Sequence, residues 1–213
     1  MKDFKAAIFD LDGTLIDSNS VWEKIDRKIL LKRGIRVTDE QIIRMTSMTY
    51  EDAAEFMQSL GVKDAASELI KEFNELALNE YRNSVFLKEY VKEYLEKLKN
   101  EGIKIALATA SPRFLYEPVL RHNGIYKYFN AFCCTEEIGK SKDYPDIYLL
   151  AASRLDVSPE QCIVFEDVLK GVASAKNAGM YAVGVFDKYS ADDVVTIRNI
   201  ADRYIHSFCE MLK

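Results

Sequence analysis

No stretch of this 213-residue chain approaches the ~18 consecutive apolar residues of a membrane-spanning helix. The N-terminus has only a short apolar run before its first charges, so the long h-region of a secretory signal is missing. Basic blocks are missing too: 34 acidic and 29 basic residues, a formal net charge of -5, are scattered along the chain. That pattern argues against nucleic acid and against an anionic membrane surface. Cysteine is scarce, and Cys133, Cys134, Cys162 and Cys209 show no C-x-x-C spacing. Three of the four lie in apolar runs, as reduced core thiols do, and the expectation is a cytoplasmic protein without disulfides. Nothing visible demands more than a monomer.

What is present is organised around residues 6–15, an apolar run that stops at two carboxylates, Asp10 and Asp12, followed by Gly13 and Thr14. Four or so consecutive apolar residues read as a buried strand. Gly13 marks a turn directly after it. The C-terminal end of a buried parallel strand is where open α/β sheets place their ligands. Carboxylates there can hold a hard cation, act as a nucleophile or shuttle protons. They can also merely cap a turn.

From residue 19 to 83 the period is helical throughout, with four predicted helices. Val21, Trp22, Ile25, Ile29 and Leu30 form the first stripe, up to Gly34. Thr38 with Gln41 has capping-box spacing, a third helix spans 49–60, and the fourth spans 65–81. From residue 87 strands and helices alternate. Strands are predicted at 103–108, 131–135, 162–165, 181–186 and 204–207. Helix starts are read at Ser111-Pro112, with Ser111 as cap, at Pro145, at Ser158-Pro159 and at Ser190, while Pro118 should break or kink its helix. The alternation predicts an α/β fold with a doubly wound, Rossmann-like parallel sheet. Residues 1–18 and 84–213 would form the core, and 19–83 an all-helical cap inserted after the first strand.

Three further strand ends carry polar chemistry. Thr109-Ala110-Ser111 offers a hydroxyl and backbone amides for a phosphate oxygen. Lys142 precedes a helix start and could neutralise a phosphoryl charge, with Lys140 as a nearby rival. Glu166-Asp167 is a second acidic pair, able to complete a cation site with Asp10.

In this order, Asp-x-Asp-Gly-Thr, Thr, Lys and Glu-Asp, the chain resembles the haloacid dehalogenase-like hydrolases over its core from about residue 5 to 185, and within them the β-phosphoglucomutase-like branch with a helical cap. The resemblance implies that Asp10 is the nucleophile of an aspartyl-phosphate and Asp12 the general acid/base. It implies that Thr109 and Lys142 bind the phosphate, and that Mg²⁺ is held by Asp10, Asp12, Asp167 and, nearby, Glu166. Two departures stand out: Asp143 replaces the proline that usually follows the motif lysine, and the cap has Trp22, Tyr50 and Ala77 where mutases carry His, Arg and Lys. Losing those cations removes the grip on a second phosphate. The expected function is therefore a Mg²⁺-dependent phosphatase of a small phosphorylated metabolite, such as a sugar phosphate. A sugar phosphomutase is the alternative, and a receiver-type phosphoacceptor domain a more distant one. Ala110, Ser111, Arg113, Trp22 and Tyr50 are candidate substrate contacts, Trp22 being equally readable as cap core.

Overall fold

The computed structural model describes residues 4–46 and 48–212. Residues 4–17 with 86–212 form one compact unit and residues 18–85 another.

In the larger unit, β1 (Ala6–Phe9), β2 (Lys104–Thr109), β3 (Ala131–Cys134), β4 (Cys162–Glu166), β5 (Tyr181–Val185) and β6 (Arg203–Ile205) build one sheet in the order β3-β2-β1-β4-β5-β6. All five pairings are parallel. β1 lies at the centre and has no exposed residue, which is why its sequence is an unbroken apolar run instead of an alternation. Six helices accompany the strands: α5 (Val91–Asn100), α6 (Arg113–His122), α7 (Thr135–Ile138), α8 (Asp146–Leu155), α9 (Leu169–Asn177) and α10 (Val194–Ile200), numbered after the four helices of the smaller unit. Ala6 and Ile8 pack in a cluster with Ile147, Tyr148 and Ala151 of α8 and Val172 and Ala175 of α9. Phe9, pointing the other way, stacks on Phe165 at 4.7 Å and meets Tyr94 of α5 and Phe208. Helices thus cover both faces of the sheet, as a doubly wound fold requires.

The smaller unit contains α1 (Asn19–Lys32), α2 (Asp39–Thr46), α3 (Tyr50–Ser59) and α4 (Ala66–Asn83). Its core is built from Val21, Ile25, Ile29 and Leu30 of α1, Ala53, Ala54 and Met57 of α3, and Leu69, Phe73, Ala77 and Tyr81 of α4. The Thr38–Gln41 pair closes as a reciprocal cap, with Gln41 accepting from the Thr38 amide at 2.9 Å and Thr38 from the Gln41 amide at 3.3 Å. Arg33 ties α1 to Asp64 at 2.6 Å and to Glu72 of α4 at 2.8 Å.

Several local expectations are corrected. Pro118 sits inside α6 without ending it. A proline there forfeits one amide donor, and the buried Leu115, Val119 and Leu120 hold both sides of it in place. Ser158-Pro159 starts only a 3-10 turn, Pro159–Gln161, because β4 begins at Cys162. The segment opening at Ser190 is likewise a 3-10 turn, Lys188–Asp193, before α10. Short α7 was not foreseen.

Candidate active site

Every carboxylate of the candidate site sits where a strand of the central sheet ends. The register pairs Phe9 with Leu107 of β2 and Phe165 of β4, and the Asp10 amide donates to the Phe165 carbonyl at 3.0 Å. Asp10 is thereby set beside Glu166, the last residue of β4, and Asp167 follows. The chain turns immediately after Asp12 because Gly13 takes φ +78°, a left-handed value that costs glycine nothing. The Leu15 amide then closes the turn on the Leu11 carbonyl at 2.8 Å.

Asp10, Glu166 and Asp167 each offer a carboxylate oxygen, the three lying within 4.8 Å of one another, and all three residues are buried. Lys142 reaches them from the loop before α8: its ammonium donates to Asp10 Oδ1, and to Glu166 Oε1 at 2.5 Å. Lys140 points elsewhere, to the half-exposed Asp146 at 2.5 Å. Tyr148 donates its buried hydroxyl to Glu166 Oε1 at 2.7 Å, and Thr14 donates to Asp167 Oδ1 at 2.9 Å.

The charges are unbalanced. Burial pushes the Asp10 carboxyl up to about 7 against the pull of Lys142, and the Glu166 and Asp12 charges push the same way. Asp167 is held well above the ordinary carboxylate range by burial, then by Asp10 and Glu166, with Lys88 and Thr14 opposing. Crowded, desolvated carboxylates facing one ammonium resist full ionisation unless a further cation joins them. Oxygen donors of this kind suit a hard divalent cation, so the donor set fits a metal that would offset their mutual repulsion.

Across β1, at the end of β2, Thr109 is buried and its hydroxyl accepts from the Ser111 amide at 2.9 Å. That amide is engaged within the turn, and the Thr109 hydroxyl, accepting through a lone pair, keeps its own proton to donate. Ser111 does not cap α6. Its hydroxyl donates to Asp12 Oδ2 at 2.6 Å, and Pro112 takes the cap position with extended backbone. Ala110 is exposed beside it. Arg113 lies on the exposed start of α6, where Glu117 pairs with it at 2.8 Å. Trp22 and Tyr50 belong to the helical unit. Their ring centroids lie 5.9 Å apart, and they pack against Tyr81 and Phe73 at 6.0 Å.

Thr14, Tyr148 and Gly171, whose α9 position leaves room only for the Glu166 carboxylate, are not among the candidate site residues the sequence points to. Thr14 carried a signal as part of Asp-x-Asp-Gly-Thr. The other two carried none, since an aromatic at helical spacing and a glycine in a small-residue helix both read as packing.

The family model for haloacid dehalogenase-like hydrolases matches residues 4–179. A phosphorylated carbohydrates phosphatase of Thermotoga maritima is 34% identical over 179 residues, covering 83% of this chain and 82% of that protein. The beta-phosphoglucomutase of Bacillus subtilis is 32% identical over 194 residues, covering 85% and 83%. In fold, the crystal structure of CbbY from Rhodobacter sphaeroides in complex with phosphate superposes with a TM-score of 0.80 at 22% identity, covering 98% of this chain and 96% of that one. A match running from before β1 to the end of α9, over a parallel sheet whose strand ends gather Asp10, Lys142, Glu166 and Asp167, leaves one conclusion: the chain belongs to the haloacid dehalogenase-like hydrolases, and it is an enzyme of that family.

Proposed function

We propose that this hydrolase is a Mg²⁺-dependent phosphatase of small phosphorylated sugars, working through an aspartyl-phosphate on Asp10. The observation that carries the reading is the placement of Asp10: a buried carboxylate at the end of β1, paired with Lys142, beside Asp167, with the second carboxylate of Asp12 held two residues away by Ser111. Two acids so close in sequence but so differently housed suit two different roles.

Asp10 attacks phosphorus, and the bond from phosphorus to the ester oxygen breaks. Asp12 gives its proton to that leaving oxygen. Water then loses a proton to Asp12 and attacks the same phosphorus, the bond to Asp10 breaks, and inorganic phosphate leaves with both carboxyls restored. Thr109 donates its free hydroxyl proton to a phosphate oxygen, and Lys142 offsets phosphoryl charge while pulling Asp10 toward its anionic form against burial. Asp10 and Asp167, with the Asp12 backbone carbonyl, would hold the cation, Glu166 lying alongside. When bound, Mg²⁺ offsets phosphate charge and orients the ester for in-line attack.

The sugar assignment draws on the Thermotoga maritima relative, a phosphatase of phosphorylated carbohydrates. A phosphomutase is the second reading, favoured by the Bacillus subtilis relative and disfavoured by Trp22, Tyr50 and Ala77 at positions where a mutase grips its distal phosphate. Phosphate release from a panel of phosphorylated sugars that includes β-glucose 1-phosphate, with and without Mg²⁺, tests both. Rapid Mg²⁺-dependent release from one or a few members supports the phosphatase. Conversion of β-glucose 1-phosphate to glucose 6-phosphate without release establishes the mutase, and a long-lived phosphoryl group on Asp10 would instead revive a phosphoacceptor role.

A further inference from the structure

Glu166 has no exposed surface, yet it is held on three sides. Lys142 donates to its Oε1 at 2.5 Å, and the Tyr148 hydroxyl donates to the same oxygen at 2.7 Å. From behind, the carboxylate lies flat on α9 at Gly171, where an added Cβ would come within 2.4 Å of Glu166 Cδ and 2.6 Å of both its oxygens. Gly171 adopts no left-handed backbone, so close approach, not conformational freedom, is what calls for glycine there. Tyr148 is itself fully buried on α8, in a cluster with Ile8, Ala108 and Val164, with its ring centroid 5.9 Å from the Lys142 ammonium.

We infer that Tyr148 and Gly171 are positioning residues for the reaction: they seat the Glu166 carboxylate, and Glu166 in turn aims the Lys142 ammonium at Asp10. The inference rests on the phosphatase reading above. A lysine is a point charge on a flexible four-carbon stem. The Lys142 head contacts two carboxylates, and whichever of them is fixed decides where the ammonium stays. Without the tyrosine hydroxyl, the remaining hydrogen-bond donor to Glu166 besides Lys142, among the described residues, is the Val168 amide at 3.5 Å, the limit of a hydrogen bond. Glu166 would then follow the lysine instead of holding it.

The test is Tyr148→Phe, which keeps ring and volume and removes one oxygen. Hydrolysis of p-nitrophenyl phosphate is measured with varied substrate and varied Mg²⁺, together with the melting temperature. Loss of aim should lower kcat roughly 10-fold while the Mg²⁺ concentration for half-activation stays within about twofold. Gly171→Ala, which displaces Glu166 from the other side, should move kcat the same way. Unchanged kcat in Tyr148→Phe, or a loss that extra Mg²⁺ restores, overturns the inference, the latter making Glu166 a metal ligand first. Hydrogen exchange of the ¹⁵N-labelled Lys142 ammonium, followed by NMR without substrate, reads the same contact independently of turnover. Faster exchange in Tyr148→Phe is expected, and unchanged exchange overturns the inference even if the wild-type protein hydrolyses no ester, an outcome that would separately sink the phosphatase reading.

Discussion

Asp26, on α1, is a carboxyl with 4% of its surface exposed in the core of the helical unit, and it makes that unit's stability depend on pH. Burial, and secondarily the charge of Glu23, pushes it from its ordinary 3.8 up to about 7. Each tenfold change in proton affinity corresponds to about 1.4 kcal/mol, so the charged form costs the native state about 4 kcal/mol at full effect. The native protein keeps this proton up to about pH 7, while the unfolded chain loses it near 3.8. Between those values the native state binds more protons, and stability falls as pH rises. The opposite behaviour belongs to Asp64, held below its ordinary range chiefly by its bond to Arg33, and to Glu72, where burial is outweighed by the bonds to Lys32 and Arg33; their contribution is present above the ordinary carboxylate pKa and is lost on acidification below it. From pH 5 upward, of these three groups only Asp26 still changes its contribution. Trp22 is the single tryptophan of the chain and lies in the same helical unit, one turn before Asp26, so its fluorescence reports from within this unit. Urea unfolding followed at Trp22 should show a midpoint that drops from pH 5 to pH 8, and Asp26→Asn should remove the drop and stabilise the unit at pH 8 by about 2–4 kcal/mol. A wild-type midpoint independent of pH over that range, or an equal drop in Asp26→Asn, refutes the reasoning.

Lys142→Met leaves Asp10 and Glu166 without their shared cation; activity should fall at least about 100-fold, and stability without added metal by about 3 kcal/mol or more, read by kcat and by denaturant unfolding. Ser174, 1% exposed in α9, has a hydroxyl with no partner among the described residues. Ser174→Ala should therefore raise stability by about 1 kcal/mol, and a lower melting temperature would contradict this account. Tyr90 precedes α5 at φ +64°, a left-handed backbone that a bulky L-residue adopts at a cost, and its side chain is 46% exposed. Tyr90→Gly should stabilise the core unit by about 0.5–1 kcal/mol, which calorimetry would detect as a higher melting temperature.

Short-range physics wrote much of this molecule directly into its residue order. The apolar runs that end at Asp10, Thr109 and Glu166 are strands because a strand buried on both faces tolerates no polar alternation. The helices of residues 19–83 are legible from stripes such as Phe73, Ala77 and Tyr81, and the Thr38–Gln41 cap from a three-residue spacing. Candidate site residues Asp10, Asp12, Glu166 and Asp167 are readable for the same reason, since each stands at or just past the point where an apolar run stops.

Contacts between residues far apart in sequence were decided only by the tertiary structure. The sequence favours Lys142 over its rival Lys140 only through the helix start that follows it, and it is the tertiary approach of α8 to β1 that turns Lys142 onto Asp10, 132 residues away, and leaves Lys140 on Asp146. Ser111 has the sequence context of a helix cap, but the fold brings Asp12 Oδ2 to within 2.6 Å, and that oxygen takes its hydroxyl. Thr14 finds Asp167 across 153 residues, and Gly171 is needed because Glu166 is pressed onto its helix. A buried carboxylate must find partners wherever the fold brings donors to it, and residue spacing along the chain carries no record of those donors.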